Sequence, residues 1–66
     1  MELSNTLIER RMQLGITQND LAEMSGVSLA TVKDIERGKG NPSIKTAEKL
    51  LAVLGMEIVY RMRCTI

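Results

Sequence analysis

Hydroxyl residues and glycines alternate along the first 55 residues in a pattern that predicts short helices. A serine or threonine side chain accepts a hydrogen bond from the free backbone N–H groups at a helix start, and glycine readily adopts the positive φ that follows many helix ends. The predicted starts are Thr6, Thr17, Ser28 and Ser43, and the predicted ends are Gly15, Gly26, Gly38 and Gly55. Of the predicted starts, the two threonines are each followed three positions later by an acidic residue, Glu9 and Asp20, as in a capping box. The sequence therefore predicts an all-α bundle of four to five short helices within residues 1–55.

Only Gly26 and Val27 separate the second predicted helix from Ser28, where the third one starts. Two short helices joined by so sharp a turn are typical of a helix-turn-helix, and glycine tolerates the backbone conformation that such a turn requires. The spacing therefore predicts a helix-turn-helix whose second helix covers residues 29–37.

The third predicted helix has two different faces on a helical wheel. Ser28, Val32 and Ile35 form a packing face. The other face carries small, flexible or charged side chains: Leu29, Ala30, Lys33, Asp34 and Arg37. A helix of this kind can enter the major groove of DNA, which is about 12 Å wide. The alternative is a face that is simply solvated.

Residues 56–66 follow a different pattern. Met56, Ile58, Tyr60 and Met62 alternate with other side chains, and this period of two predicts a β-strand. It would be the single strand of the chain, so its backbone would have to pair with another molecule. The alternatives are a frayed tail or a continuation of the fourth helix, and Gly55 argues against the continuation.

The chain has 66 residues, one cysteine and no histidine. A domain of this size usually needs a disulfide, a metal or a partner subunit for stability, and the composition leaves the partner subunit. We therefore expect a homodimer joined by the C-terminal strand, without a cofactor or metal. The predicted interface consists of Leu50, Val53, Leu54, Met56, Ile58, Tyr60 and Met62.

The formal net charge is only +1, but the basic residues are concentrated in the second half of the chain. Residues 33–49 contain five basic and three acidic side chains, which allows one positive surface. Ordinary solvated lysines would give the same count. Without histidine, the commonest general base is missing, so catalysis is not expected. The polar start and the short apolar stretches favour a cytoplasmic protein without a membrane segment.

Three stretches of the sequence together resemble the Xre/Cro-type repressor helix-turn-helix family. They are Arg11 to Ala22, Gly26-Val27-Ser28 and Val32 to Gly38, and Pro42-Ser43 through Gly55 matches the usual ending of that family. With the alternating residues 56–62 added, the chain is most similar to the HipB-like antitoxin branch. The resemblance implies a lambda-repressor-like bundle over residues 1–55 and a dimerisation strand and tail over residues 56–66.

The resemblance also implies roles for individual residues. Gln18 would contact a phosphate and support the third helix, and Arg11 would form a structural ion pair with Glu36. Thr31 would either reach a phosphate or pack at the edge of the face. Residues implied to contact DNA are Gln18, Ser28, Leu29, Ala30, Thr31, Lys33, Asp34, Arg37 and Lys39. Leu29 and Ala30 cannot read a hydrogen-bonding pattern, although they can contact a thymine methyl group.

The expected function is that of a sequence-specific transcriptional repressor that binds double-stranded operator DNA as a homodimer. The resemblance implies an antitoxin that represses its own promoter, with a kinase-like toxin as its protein partner. Two alternatives stay open: a phage or restriction-modification controller, and an interaction adaptor that keeps the fold without binding DNA. Asp34 and the low net charge are the features that keep the adaptor open as an alternative.

Overall fold

Four α-helices follow one another in the computed structural model, which describes residues 3–59. They are α1 (Leu3–Leu14), α2 (Gln18–Ser25), α3 (Leu29–Glu36) and α4 (Ile44–Val53). Helix α2 packs against α3 and α4, and α1 packs against α3. The all-helical bundle predicted from the sequence is thus confirmed for the described part of the chain. No helix within residues 3–59 is long and apolar enough to cross a membrane.

Three of the predicted helix starts are confirmed by their capping hydrogen bonds. Thr17 accepts the backbone N–H of Asp20, and the Asp20 carboxylate accepts the N–H of Thr17, which completes a capping box. Ser28 and Ser43 cap α3 and α4 in the same way, each accepting one backbone N–H three residues later. These contacts are local, so the sequence spacing alone was sufficient to predict them.

The predicted start of the first helix is wrong. Helix α1 begins at Leu3, so Thr6 lies inside the helix rather than at its N-cap. Leu3 packs against the core, and the burial of its side chain favours one more helical turn than the capping pattern predicts. Tertiary packing has therefore overridden a local signal, as it commonly does at helix ends.

The turn between α2 and α3 depends on Gly26. Its φ is +76°, and its N–H donates to the carbonyl of Ala22 at 3.0 Å. No atom lies within 4 Å of the position that a Cβ would take, so space is not the constraint. Glycine is needed here because other L-residues adopt this left-handed conformation at a cost.

A single apolar core lies between the four helices. Its buried residues are Leu7, Leu21, Ala22, Val32, Ile35, Leu50, Leu51 and Leu54. Leu50 and Leu54, predicted to lie in a dimer interface, have no exposed surface and belong to this core. Their contact with a second copy of the chain stays a prediction.

The strand predicted over residues 56–62 is absent from the part of it that the structure describes. Residues 56–59 have no regular secondary structure, and Tyr60 and Met62 lie outside the described residues. A strand needs a neighbouring backbone for its hydrogen bonds. Ile58 packs against the core, whereas Met56 and Val59 are exposed. Pairing of this segment with a second chain stays a prediction.

Candidate nucleic-acid interface

Helix α3 is held in place by an ion pair at its C-terminal end. Arg11 donates to both carboxylate oxygens of Glu36: Nε to Oε2 and Nη2 to Oε1, each at 2.9 Å. Gln18 adds a third hydrogen bond to Oε1 at 3.1 Å, from the first residue of α2. Arg11 also donates to the carbonyl of Ile16 at 3.0 Å. Three parts of the chain thus meet at one carboxylate, which fixes α3 relative to α1 and α2.

This ion pair is largely shielded from solvent. The Glu36 side chain is 4% exposed and the Arg11 side chain is 17% exposed. The hydrogen bond to Glu36 raises the pKa of Arg11 above its ordinary value, although burial acts in the opposite direction. Arg11 therefore keeps its positive charge. A pair of this kind fixes the orientation of α3, but it offers little charge to an external partner.

The side chains on the outer face of α3 differ more in solvent exposure than the helical wheel predicts. Ala30 and Lys33 are exposed, as expected, whereas Leu29 is half-buried and packs against the core. Leu29 thus contributes to the edge of the core as well as to the outer face. The Lys33 side chain has no hydrogen-bond or ion-pair partner among residues 3–59, so its ammonium group is available to a ligand.

Asp34 of α3 and Arg37, the residue directly after the helix, lie about one turn apart and form an ion pair. Both side chains remain substantially exposed, at 49% and 62%. Exposed pairs of this kind contribute about 0–1 kcal/mol to stability, so a phosphate can compete for the guanidinium group at low cost. The pair nevertheless neutralises Asp34, which would otherwise be the one negative group on this face.

The N-terminal end of α3 carries two hydroxyl groups that bond to each other. The oxygens of Ser28 and Thr31 are 2.8 Å apart, and Ser28 also accepts the N–H of Thr31. Thr31 is half-buried and Ser28 is exposed. The half-buried position of Thr31 suits a residue at the edge of the face, and its hydroxyl bonds to that of the exposed Ser28. A contact between Thr31 and a phosphate stays a prediction.

Lys39 is exposed in the loop that follows α3. Its backbone N–H donates to the carbonyl of Asp34 at 2.8 Å, and the N–H of Gly38 donates to that of Ile35 at 3.0 Å. These bonds close the end of α3 and hold the lysine beside it. Lys33 on α3 and Arg37 and Lys39 directly after it are all exposed in the structure.

Sequence reasoning did not single out Arg10. Its Nε donates to the carbonyl of Leu54 at 2.9 Å, and its Nη1 donates to Gln13 at 3.2 Å. Arg10 and Leu54 are 44 positions apart, and no local pattern links them. The only available signal was a second arginine next to Arg11.

Residues 7–61 match the family model described as helix-turn-helix. Among curated proteins, the chain is similar to an uncharacterized HTH-type transcriptional regulator of Haemophilus influenzae, with 47% identity over 53 residues. This alignment covers 80% of the chain and 54% of the relative, so the chain spans about half the length of that protein.

A second uncharacterized HTH-type transcriptional regulator, from Methanothermobacter thermautotrophicus, is 43% identical over 53 residues, or 79% of the chain and 77% of the relative. The HTH-type transcriptional regulator PuuR of Escherichia coli is 40% identical over 52 residues, or 79% of the chain and 28% of the relative. No solved structure matches the chain. Together with the turn at Gly26 and the anchored helix α3, these similarities show that the chain belongs to the helix-turn-helix family, and the three relatives are HTH-type transcriptional regulators.

Proposed function

We propose that the protein is a sequence-specific transcriptional repressor that binds an inverted-repeat operator as a homodimer, with α3 in the major groove. The observation that carries this proposal is the anchoring of α3 by Arg11, Gln18 and Glu36. A helix that reads base edges must keep a fixed orientation, and this network fixes α3 at the end opposite to its first turn. The exposed side chains of α3 are then left to the ligand.

Direct reading of bases is assigned mainly to Lys33. Its ammonium group has no partner in the described part of the chain and can donate to O6 and N7 of guanine. Ala30 is exposed and small, and it can contact a thymine methyl group. Leu29 can do the same with the part of its side chain that is not packed. Asp34 would accept from a cytosine amino group once Arg37 is drawn to a phosphate.

The remaining polar residues are assigned to the DNA backbone. Arg37 and Lys39 carry positive charges beside the end of α3, and Ser28 with Thr31 places hydroxyl groups at its start. The amide nitrogen of Gln18 carries two hydrogens, of which one bonds to Glu36. The second can donate to a phosphate, so Gln18 can support α3 and contact DNA at the same time.

A homodimer would provide two α3 helices about 34 Å apart, one turn of DNA. The support for it is the apolar surface that the end of the described chain leaves uncovered. Val59 is 68% exposed and Met56 is 39% exposed, and Val53 is half-buried on the adjoining helix. A second copy that covers these side chains would bury apolar area that one chain of this size cannot enclose. Tyr60 and Met62 would extend the interface.

The antitoxin role, with repression of its own promoter and a kinase-like toxin as partner, rests on the resemblance of residues 56–62 to the HipB-like branch. Such a toxin would bind a surface away from α3, because α3 is occupied by DNA. DNA binding and dimerisation also suit a phage or restriction-modification controller, and the resemblance of residues 56–62 is what favours the antitoxin.

The salt dependence of DNA binding tests the proposal. A duplex is first selected from a random-sequence pool, and its affinity is then measured at several salt concentrations beside a scrambled duplex. Contacts to about six to eight phosphates per dimer predict a log–log slope of about −5 to −7. Lys39→Ala should lower the slope by about 1 per lysine lost. Lys49→Ala, which removes an exposed lysine of α4 outside the proposed contacts, should leave it unchanged. An adaptor would show no selectable duplex and no salt-dependent binding.

A further inference from the structure

Helix α4 ends in a closed arrangement of hydrogen bonds. The N–H groups of Gly55 and Met56 donate to the carbonyls of Ala52 at 3.2 Å and Leu51 at 2.8 Å. The last carbonyls of a helix have no partner within it and must be satisfied in another way. At this end, Arg10 of α1 donates from Nε to the carbonyl of Leu54 at 2.9 Å. A positive side chain at a helix C-terminus is also favoured by the helix dipole.

The same guanidinium group lies close to Gly55. Nη2 of Arg10 is 3.7 Å from the position that a Cβ of Gly55 would take, and the φ of Gly55 is +73°. Gly55 thus reverses the direction of the chain directly beside the arginine. Gly55, which turns the chain, and Arg10, which binds the carbonyl of Leu54, therefore lie next to each other, although they are far apart in the sequence.

The segment that leaves this turn runs beside α1. Met56 borders a surface groove of about 260 Å³ with Thr6, Glu9, Arg10 and Gln13 of α1. Two residues later, Ile58 packs against the core, while Val59 points largely to solvent. The exposure of Met56 and Val59 and the packing of Ile58 therefore depend on the direction in which the chain leaves α4.

We propose that Arg10 is a positioning residue for the dimer: it fixes the direction in which residues 56–59 leave α4, and so the orientation of the two α3 helices relative to each other. This inference rests on the proposed homodimer. Arg10 itself contacts neither DNA nor the second copy. It acts through Leu54 and Gly55, whose conformation places Met56 and Val59 on the surface that the second copy covers.

A purely structural role for Arg10 would lower stability and leave assembly unchanged, so the test measures assembly. Arg10→Met keeps the aliphatic stem and removes every donor, whereas Arg10→Lys keeps a charge that can reach the Leu54 carbonyl. Gln13→Ala removes the other partner of Arg10 and serves as the matched control. For each chain, the monomer–dimer dissociation constant is measured by sedimentation equilibrium. Affinities are measured for the selected duplex, for a single half-site, and for duplexes in which one or two base pairs are inserted between the half-sites.

Loss of one charge-assisted hydrogen bond is expected to weaken dimerisation about tenfold in Arg10→Met. The preference for the selected half-site spacing should weaken with it, while half-site affinity stays within about twofold of the unmodified chain. Arg10→Lys keeps the charge but has fewer donors and should weaken dimerisation only about threefold, and Gln13→Ala should behave as the unmodified chain. If Arg10→Met does not fold, a loss of about threefold in Arg10→Lys supports the same conclusion.

If dimerisation and spacing preference are unchanged in folded Arg10→Met, the role of Arg10 is overturned and the proposed function stays intact. Where Arg10→Met does not fold, unchanged dimerisation and spacing preference in Arg10→Lys have the same meaning. An unmodified chain that stays monomeric, or that binds an inverted repeat no better than one half-site, would overturn the proposed homodimer and this inference together.

Discussion

Replacement of Glu36 by alanine tests the anchoring of α3 most directly. The change leaves the guanidinium of Arg11 without its carboxylate partner and removes the acceptor of Gln18. Breaking a buried pair by removing one partner costs about 3–5 kcal/mol. Because the Arg11 side chain is 17% exposed, water can solvate part of its charge, and we expect a cost at the lower end, about 3 kcal/mol. Domains of this length have a total stability of only about 3–10 kcal/mol.

The free energy of unfolding is measured by urea denaturation followed by circular dichroism, and a loss of about 3 kcal/mol corresponds to a Tm that is lower by about 12–24 °C. Glu48→Ala is the matched control, because Glu48 is exposed on α4 and has no partner within residues 3–59. It should change stability by no more than about 0.5 kcal/mol. The double replacement of Arg11 by methionine and Glu36 by leucine should recover much of the loss, since neither charge is then buried. A loss below about 1 kcal/mol in Glu36→Ala, or a double variant as unstable as the sum of the single ones, would refute this reasoning.

Three further changes test single features of the molecule. Lys33→Ala should relax selectivity at one base pair and weaken binding to the selected duplex by about 1–3 kcal/mol, and an equal loss on all duplexes would show a phosphate contact instead. Hydrogen bonds from Thr17 lower the pKa of Asp20 below its ordinary value of 3.8, so its stabilising effect is present above that value and is lost as the pH falls through the lower folded value. Asp20→Asn should therefore remove this part of the acid sensitivity, measured as Tm against pH. Gly26→Ala should lower the free energy of unfolding by about 1–2 kcal/mol, because an alanine must adopt the same positive φ; unchanged stability in urea denaturation would contradict that reason.

The sequence was most informative where structure is set by neighbouring residues. The caps at Thr17, Ser28 and Ser43 depend on hydrogen bonds that span three positions, and all three are present. The turn at Gly26 is equally local. From these elements alone, the helical bundle and the place of α3 within it could be predicted.

Features that depend on packing between distant segments were harder to predict from the sequence. Leu3 extends α1 because its partly buried side chain packs against the core, and no capping pattern shows that. The contact between Arg10 and the carbonyl of Leu54 joins the two ends of the described chain without a sequence signal. Leu50 and Leu54 are buried within one chain, and a helical stripe in the sequence does not distinguish such burial from burial between two chains. The pairing of Arg11 with Glu36 was accessible only through the family resemblance.

The net charge of the chain did not predict the charge of the surface around α3, because the acidic side chains there are in ion pairs. Glu36 is shielded by Arg11, and Asp34 is neutralised by Arg37, which leaves positive potential along α3 and the following loop. One copy nevertheless offers only three cations from α3 and the following loop to DNA: Lys33 at the bases, and Arg37 and Lys39 at the phosphates. With each contact contributing about 0.9 to the log–log salt slope, a single copy would give a slope of about −3, whereas two copies reach the expected range of −5 to −7. The salt slope therefore reports the number of bound copies as well as the nature of the contacts. A slope of about −3 on a duplex with both half-sites would indicate one bound chain and would contradict the twofold assembly.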